Sequence, residues 1–366
     1  MVAAQAIIFF LYTFASKLNL LWVLSNESRS PFIVHYPKSK KIIMKKSVVG
    51  IGSALVDILT QINDDSVLNE LNIPKGSMQL VDENSSALIE KKLENYESSM
   101  APGGSAANTI HGLAKLGIES GFISYIGNDE TGKFFEESMN SVGVKPMMFH
   151  TDTASGTART IISKDGERTF ATNLGASVEL NEGVITTELF NGWDYCYVEG
   201  YLIANRPLFK KTVETAKESG CKVVLDLASY NVVEANRDFL NELLPQVDII
   251  FANEEEAKSL TMTEAEESLE YIASKVETAI VKIGKKGSLI KRGEERATIG
   301  CNKVDVIDTT GAGDMYAAGF LYGLIEGYDL EKCGIIGNLL AESIIQVIGA
   351  KMDENRWNEF RRLAQI

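Results

Sequence analysis

Val304-Asp305-Val306-Ile307-Asp308-Thr309-Thr310-Gly311-Ala312-Gly313-Asp314-Met315-Tyr316-Ala317-Ala318-Gly319-Phe320-Leu321 decides how the rest of the chain is read. Its first four residues look like a strand, its middle is a turn of small residues, and its end is a helix with small residues on one face. A turn of Gly311, Ala312 and Gly313 at a helix start leaves backbone N–H groups bare and convergent. The positive end of the helix dipole adds to them, which makes an anion hole. Asp314 then falls in the first turn, beside the anion. A carboxylate there repels a phosphate unless it has a task, and accepting the proton of an attacking hydroxyl is such a task. The alternative is an ordinary first-turn acid stabilised by the dipole, with glycines that serve only a tight turn.

Outward from this stretch, β-branched runs alternate with amphipathic helical segments, the pattern of a parallel sheet covered by helices. Ser47–Gly52 reads as a strand. Ser105–Leu116 reads as a helix stopped by Gly117, followed by the strand Phe122–Ile126. Arg206–Ser219 reads as a helix stopped by Gly220, and the strands Val223–Leu227, Val247–Phe251 and Ala279–Ile283 follow. These runs are nearly continuous in apolar residues, as strands buried on both faces require. Two segments, about 57–82 and 147–173, break the rhythm with Thr, Ser and alternating residues. They read as antiparallel strands without intervening helices, and the second contains a hairpin at Ser163-Lys164-Asp165-Gly166-Glu167-Arg168. The expected fold is therefore α/β, a mainly parallel sheet flanked by helices, with a small β-sheet as a lid over a cleft or as a decorative edge.

Three further constellations carry chemistry. Pro102-Gly103-Gly104-Ser105-Ala106-Ala107-Asn108 leads into a helix. Its paired glycines let main chain approach a ligand, and Asn108 offers both a donor and an acceptor; a simple turn and helix start explain it equally well. Asn253-Glu254-Glu255-Glu256 follows a strand, with Asn253 and Glu256 three apart on one side of an incipient helix. That set suits Mg²⁺ held through water, or else a helix N-cap with dipole-favoured acids. Asp57 is one acid at the end of an apolar run, either a ligand or a turn former. Gly127–Phe134 nearly spells a phosphate-binding P-loop, but Phe134 lacks the hydroxyl that the last position must supply. Gly50-Ile51-Gly52 is followed by Leu55 where a dinucleotide fingerprint needs its third glycine.

Composition bounds the function. The 366 residues are 45% hydrophobic and 23% charged, an ordinary globular balance long enough for one large domain with an appendage, or two domains. The formal charge of −14 argues against a phosphate backbone or an anionic membrane as partner. Cys196, Cys221, Cys301 and Cys333 show no metal or redox spacing and suit a reducing cytoplasm. With only His35, His111 and His150 available, an enzymatic base would be a carboxylate; His111 reads as packing. Residues 1–43 look foreign to the rest. Their apolar stretch has no basic residue before Lys17, which sits inside it, so neither a secretory leader nor a membrane span fits well. A mis-assigned start ahead of Met44 is the expectation, with a genuine anchor or a disordered tail as the alternatives.

Taken in order, these motifs resemble those of the ribokinase/PfkB carbohydrate kinase family, over essentially all of Met44–Ile366. Residues 102–108 with Ile126–Gly132 look like that family's first signature. Residues 308–314 and the helix after them look like its second, and Asn253–Glu256 looks like its magnesium and phosphate motif. The resemblance implies a ribokinase-like fold with a β-sheet lid over residues 44–366, and ATP-dependent phosphorylation of a sugar or nucleoside hydroxyl. It implies Asp314 as general base and the amides of Gly311, Ala312 and Gly313 as the hole for the transferring phosphoryl group. It puts Asp57, Gly103, Gly104, Asn108, Glu199 and Tyr201 at the acceptor. Asn253, Lys282, Gly284, Gly287 and Asn338 go to ATP, Asn253 and Glu256 to Mg²⁺ through water, and Asp308 to a monovalent cation, K⁺. The segments Ala54–Leu59 and Lys75–Asp82, with Arg168, Asn173–Ala176 and Tyr201, look most like the adenosine-kinase branch. Ser53 departs from the Asn of animal adenosine kinases, and Glu199 is more like sugar-binding members, so adenosine and ribose both stay open. A monomer or a homodimer is implied, and the competing class is a binding protein that kept the fold and lost turnover.

Overall fold

Across the main sheet of this computed structural model, nine strands lie side by side. In order they are Glu295–Ile299, Ser288–Arg292, Thr278–Lys282, Ile249–Asn253, Lys222–Asp226, Tyr195–Glu199, Ser47–Ile51, Glu119–Gly127 and Val144–Thr151. The first two joints are antiparallel and the other six parallel. The structure describes residues 46–366, so the expectation for residues 1–43 lies outside the described residues. Adjacent residues of a strand face opposite sides of a sheet. Val48 accordingly joins a core with Ile110, Phe122, Tyr197 and Phe320 on one face, while Val49 joins Val198, Phe209, Val223 and Ile250 on the other. Both faces are covered, which is why these strands read as unbroken apolar runs.

A second sheet holds five strands in the order Met78–Leu80, Arg168–Asn173, Gly156–Ile162, Leu55–Gln61 and Ser98–Gly103. It packs over its own small core of Ile62, Leu68, Ile73, Ile89, Leu93 and Ile161. Here the expectation needs correction. The sheet is mixed rather than antiparallel, since Leu55–Gln61 runs parallel to Gly156–Ile162 and Met78–Leu80 parallel to Arg168–Asn173. A short helix, Ser66–Glu70, interrupts 57–82, and residues 147–151 belong to the edge of the main sheet. Ser98–Gly103 is a strand that the reading missed. Asp57 lies within its strand rather than at a strand end, paired with Ala101 and Ala158. Val304–Ile307 is not a strand either. It has no neighbouring strand, and Val306 and Ile307 are 59% and 57% exposed.

The helix Ala312–Glu326 runs against Ser105–Lys115 and Leu330–Ile344 at close range because glycines line its contacts. A side chain at Gly112 would lie 2.8 Å from the Ala318 methyl, and one at Gly319 would lie 2.8 Å from the Ile336 carbonyl. Tight crossing brings the starts of Ser105–Lys115 and Ala312–Glu326 together at the carboxyl ends of the parallel strands, where ligands of open α/β sheets bind.

Candidate active site

Four parallel strands end on polar residues in a mainly apolar structure: Glu199, Asp226, Asn253 and Lys282. The last three border a cavity of about 930 Å³, whose wall also includes Ser105, Tyr201, Gly284, Gly287, Gly311–Asp314 and Asn338. Helix Ala312–Glu326 begins at this wall. Gly311, with φ +75°, turns the chain into it, and the first helical bond runs from the Met315 N–H to the Gly311 carbonyl at 2.8 Å. Among the three turn amides, that of Ala312 is engaged by the Thr309 carbonyl at 3.2 Å; Gly311 and Gly313 precede the helical ladder. The Lys282 ammonium lies 3.1 Å from where a side chain on Gly313 would sit, so a cation stands directly at the turn. It is paired to Asp226 at 3.1 Å. Burial pulls Lys282 down, but Asp226 and Glu256 more than offset this and hold it above the ordinary lysine value.

Asp314 is half-buried in the cavity wall. Ser105 Oγ donates to one carboxylate oxygen at 2.7 Å and Asn108 Nδ2 to the other at 2.9 Å. Desolvation raises its pKa to about 6, against the lowering effect of those two donors. On the far side of Asn108, its Oδ1 accepts from Lys351 Nζ at 2.5 Å. Lys351 also faces Asp57, whose carboxyl burial pushes up to about 6. Asp314 therefore stands between the large cavity and a polar group of Asp57, Asn108 and Lys351.

The remaining expected residues fall into place unevenly. Asn253 and Glu256 form a reciprocal capping box. Asn253 Oδ1 accepts from the Glu256 N–H at 2.8 Å, and the Glu256 carboxylate accepts from the Asn253 N–H at 2.8 Å and from its Nδ2 at 2.6 Å. The capping explanation thus describes the geometry, while both residues still border the cavity. Burial raises Glu256 to about 7, with Lys282 opposing. No group of three His, Cys, Asp or Glu side chains able to hold a metal occurs among the described residues. This donor set fits only an ion that arrives with phosphates and keeps most of its water.

Glu199, expected at the acceptor, is 2% exposed and is not among the residues lining the cavity. Its oxygens accept from the Ala106 N–H at 3.1 Å and the Ser53 N–H at 3.4 Å, fastening the start of Ser105–Lys115 to the turn after Ser47–Ile51. Desolvation raises its pKa to about 7 despite those bonds. Gly103 and Gly104 are each closed in by a neighbour. A side chain on Gly103 would lie 2.3 Å from the Asp57 carboxyl, and one on Gly104 2.2 Å from the Ser53 carbonyl. Asn338 borders the cavity and donates to the Gly300 carbonyl at 3.0 Å. Tyr201 is 41% exposed on the cavity wall. Asp308 differs from a free cation ligand. One of its oxygens accepts from the Thr310 N–H and Oγ1, the other from the Gly349 N–H, and Arg168 of the small sheet pairs with it. Ser105, Asp226 and Lys351 were not singled out from the sequence. Asp226 closes an apolar strand as Lys282 does and was legible in that way; Lys351 sits in no motif.

A glycine turn at a helix start thus lies beside a half-buried carboxylate and a lysine on one cavity wall. Residues 77–356 match the pfkB family carbohydrate kinase model. The chain belongs to this family. An adenosine kinase from Saccharomyces cerevisiae is 28% identical over 335 residues, covering 84% of this chain and 96% of the yeast protein. A ribokinase from Haemophilus influenzae is 30% identical over 270 residues, covering 70% and 85%. The crystal structure of adenosine kinase from Sinorhizobium meliloti superposes with a TM-score of 0.76 at 32% identity, covering 87% of this chain and 99% of that one. As a pfkB family kinase, the protein is a phosphotransferase acting on an alcohol, with ATP as co-substrate. No helix among the described residues is long and apolar enough to cross a membrane.

Proposed function

We propose that this kinase transfers the γ-phosphoryl group of ATP to the hydroxymethyl group of a nucleoside or furanose sugar, adenosine or ribose, with Asp314 as general base. The observation that carries the reading is the position of the Asp314 carboxylate, on the cavity wall within one helical turn of the Gly311–Gly313 amides. The acceptor oxygen attacks phosphorus, the bond to the β–γ bridging oxygen breaks, ADP leaves, and the hydroxyl proton passes to the Asp314 carboxylate. The turn amides and the Lys282 ammonium meet the charge on the transferring group, the kind of stabilisation that phosphoryl transfer most needs. Asp57 and Asn108 orient the secondary hydroxyls, and Lys282, Gly284, Gly287 and Asn338 border the nucleotide. Mg²⁺ would neutralise the phosphates when bound, with Asn253 and Glu256 holding its water. The small sheet acts as a lid that excludes water from the transferring group.

A coupled ADP-release assay with adenosine, ribose and fructose tests the reading. Turnover is expected with adenosine or ribose, and Asp314→Asn is expected to lower kcat by roughly 10²–10⁴-fold while acceptor binding persists. Near-normal rates in that variant would remove Asp314 as base. Thermal stabilisation by ligands with no turnover at all would instead point to a binding protein.

A further inference from the structure

The C-terminal loop before the last helix brings one lysine, Lys351, against Asn108 behind Asp314, where no sequence motif or assigned role accounts for it. The loop is clipped to the anion turn at two points. The Gly349 N–H donates to Asp308 at 2.7 Å, and the Ala350 methyl lies 2.9 Å from where a side chain on Gly311 would be. Lys351 is thus placed by the same turn that would hold the phosphoryl group. Its ammonium, a donor only, points at Asn108 Oδ1 at 2.5 Å, and the Asn108 amide passes its own donor, Nδ2, to Asp314 at 2.9 Å.

We propose that Lys351 is a positioning residue that acts on the base through Asn108 and by its charge. An asparagine amide is nearly symmetric in shape, so its orientation is set by its hydrogen-bond partners. A donor-only group at one end forces oxygen toward Lys351 and NH₂ toward Asp314, and the NH₂ favours the ionised carboxylate. The same positive charge lies against both Asp57 and Asp314, and at Asp57 it opposes the raising effect of burial and of Asp314. Other charged or titratable groups facing this cluster are Glu199, Asp226 and Lys282 at the strand ends, Asp308 before the helix, His111 on Ser105–Lys115, and the phenols of Tyr197 and Tyr201. Of the cations among them, Lys282 is paired to Asp226 and also lowers Asp314 from the cavity side, while Lys351 lies on the Asn108 and Asp57 side.

This inference rests on Asp314 being the base, and its test separates the two. The acid limb of kcat/KM is followed by ADP release, with adenosine or ribose as acceptor, whichever is faster. Lys351→Met, Lys351→Arg and Asp314→Asn are compared with the unmodified protein. Lys351→Met is expected to move the limb upward by about one pH unit, as loss of a nearby opposite charge does. Its deficit should be about tenfold at low pH and shrink toward pH 8. Lys351→Arg, which keeps charge and donors, is expected to leave the limb in place even where the rate drops. Melting temperatures and ATP binding show whether each variant is folded. If Lys351→Met does not fold, a displaced limb in Lys351→Arg overturns the proposal. An unmoved limb in folded Lys351→Met, or a loss uniform across pH, overturns it while an inactive Asp314→Asn leaves the base standing. An active Asp314→Asn removes the base and this inference with it.

Discussion

As the proposed base, Asp314 would face two opposed demands: it has to be ionised to accept a proton, yet it sits where burial disfavours charge. Ser105 and Asn108 each give it a hydrogen bond, and the balance leaves its pKa near 6. A base works in its deprotonated form, so kcat/KM is expected to be full above about pH 7 and to fall about tenfold per unit below pH 6. A pH–rate profile checks this, and a flat profile down to pH 5 would contradict it. Removing one of the two donors should shift the limb in the same direction as losing Lys351. Ser105→Ala is therefore expected to raise it by a fraction of a pH unit, because a hydrogen bond to the charged form favours that form. The sequence exposed Asp314 and Asn108 because each stands in a patterned neighbourhood, and the family resemblance added Lys282. Ser105 lay within a quoted motif without drawing notice. Lys351 had no local pattern at all, since its partners lie 243 and 37 positions away along the chain.

At the level of elements, periodicity served well wherever an element buries a whole face. The helix expected at Ser105–Leu116 spans Ser105–Lys115, and the one expected at Arg206–Ser219 spans Arg206–Glu218. It failed where burial is partial. Ser98-Ser99-Met100-Ala101-Pro102-Gly103 has little strand propensity and becomes a strand by pairing with Leu55–Gln61. Its Pro102 is tolerated because this is an edge strand. That pairing gives Gly103 its constraint, since the Asp57 carboxyl fills the space a side chain would need. Gly103→Ala is expected to displace Asp57 and raise the acceptor KM by roughly 10- to 100-fold, with KM for ATP changed far less. Steady-state kinetics with each substrate varied in turn would show it. Equal effects on both substrates would mean that the whole site, not the acceptor side, had shifted.

Across the whole molecule, the small sheet is tied to the residues before helix Ala312–Glu326 by a largely buried ion pair, Arg168 with Asp308. Arg168→Ala is expected to loosen this tie and to raise ADP release without acceptor several-fold relative to phosphoryl transfer, because water then reaches the transferring group. An unchanged ratio would mean that the pair does not govern closure. A second consequence concerns pH and stability. Asp57 and Asp314 are raised to about 6, and Glu199 and Glu256 to about 7, chiefly by burial. Groups raised in the folded state add stability at low pH and lose it as pH climbs through 6 to 7. His111, held neutral by burial, opposes this over the same interval but is one group against four. The nucleotide-free protein is therefore expected to melt at a higher temperature at pH 5.5 than at pH 8, opposite to its activity. Calorimetry at the two pH values would show the sign.

By itself the sequence determined the α/β architecture, the glycine turn at the helix start and its neighbouring acid, because these are written in local spacing: apolar runs, helix caps, and glycines at a helix start. Tertiary structure alone decided which groups meet Asp314, that Glu199 fastens backbone rather than lining the cavity, that Asp308 is taken by Arg168, and that Lys351 enters the site. The physical reason is range. Periodicity and capping act over a few residues, whereas a buried charge must be satisfied by whatever partner the packing of distant elements brings within hydrogen-bond distance.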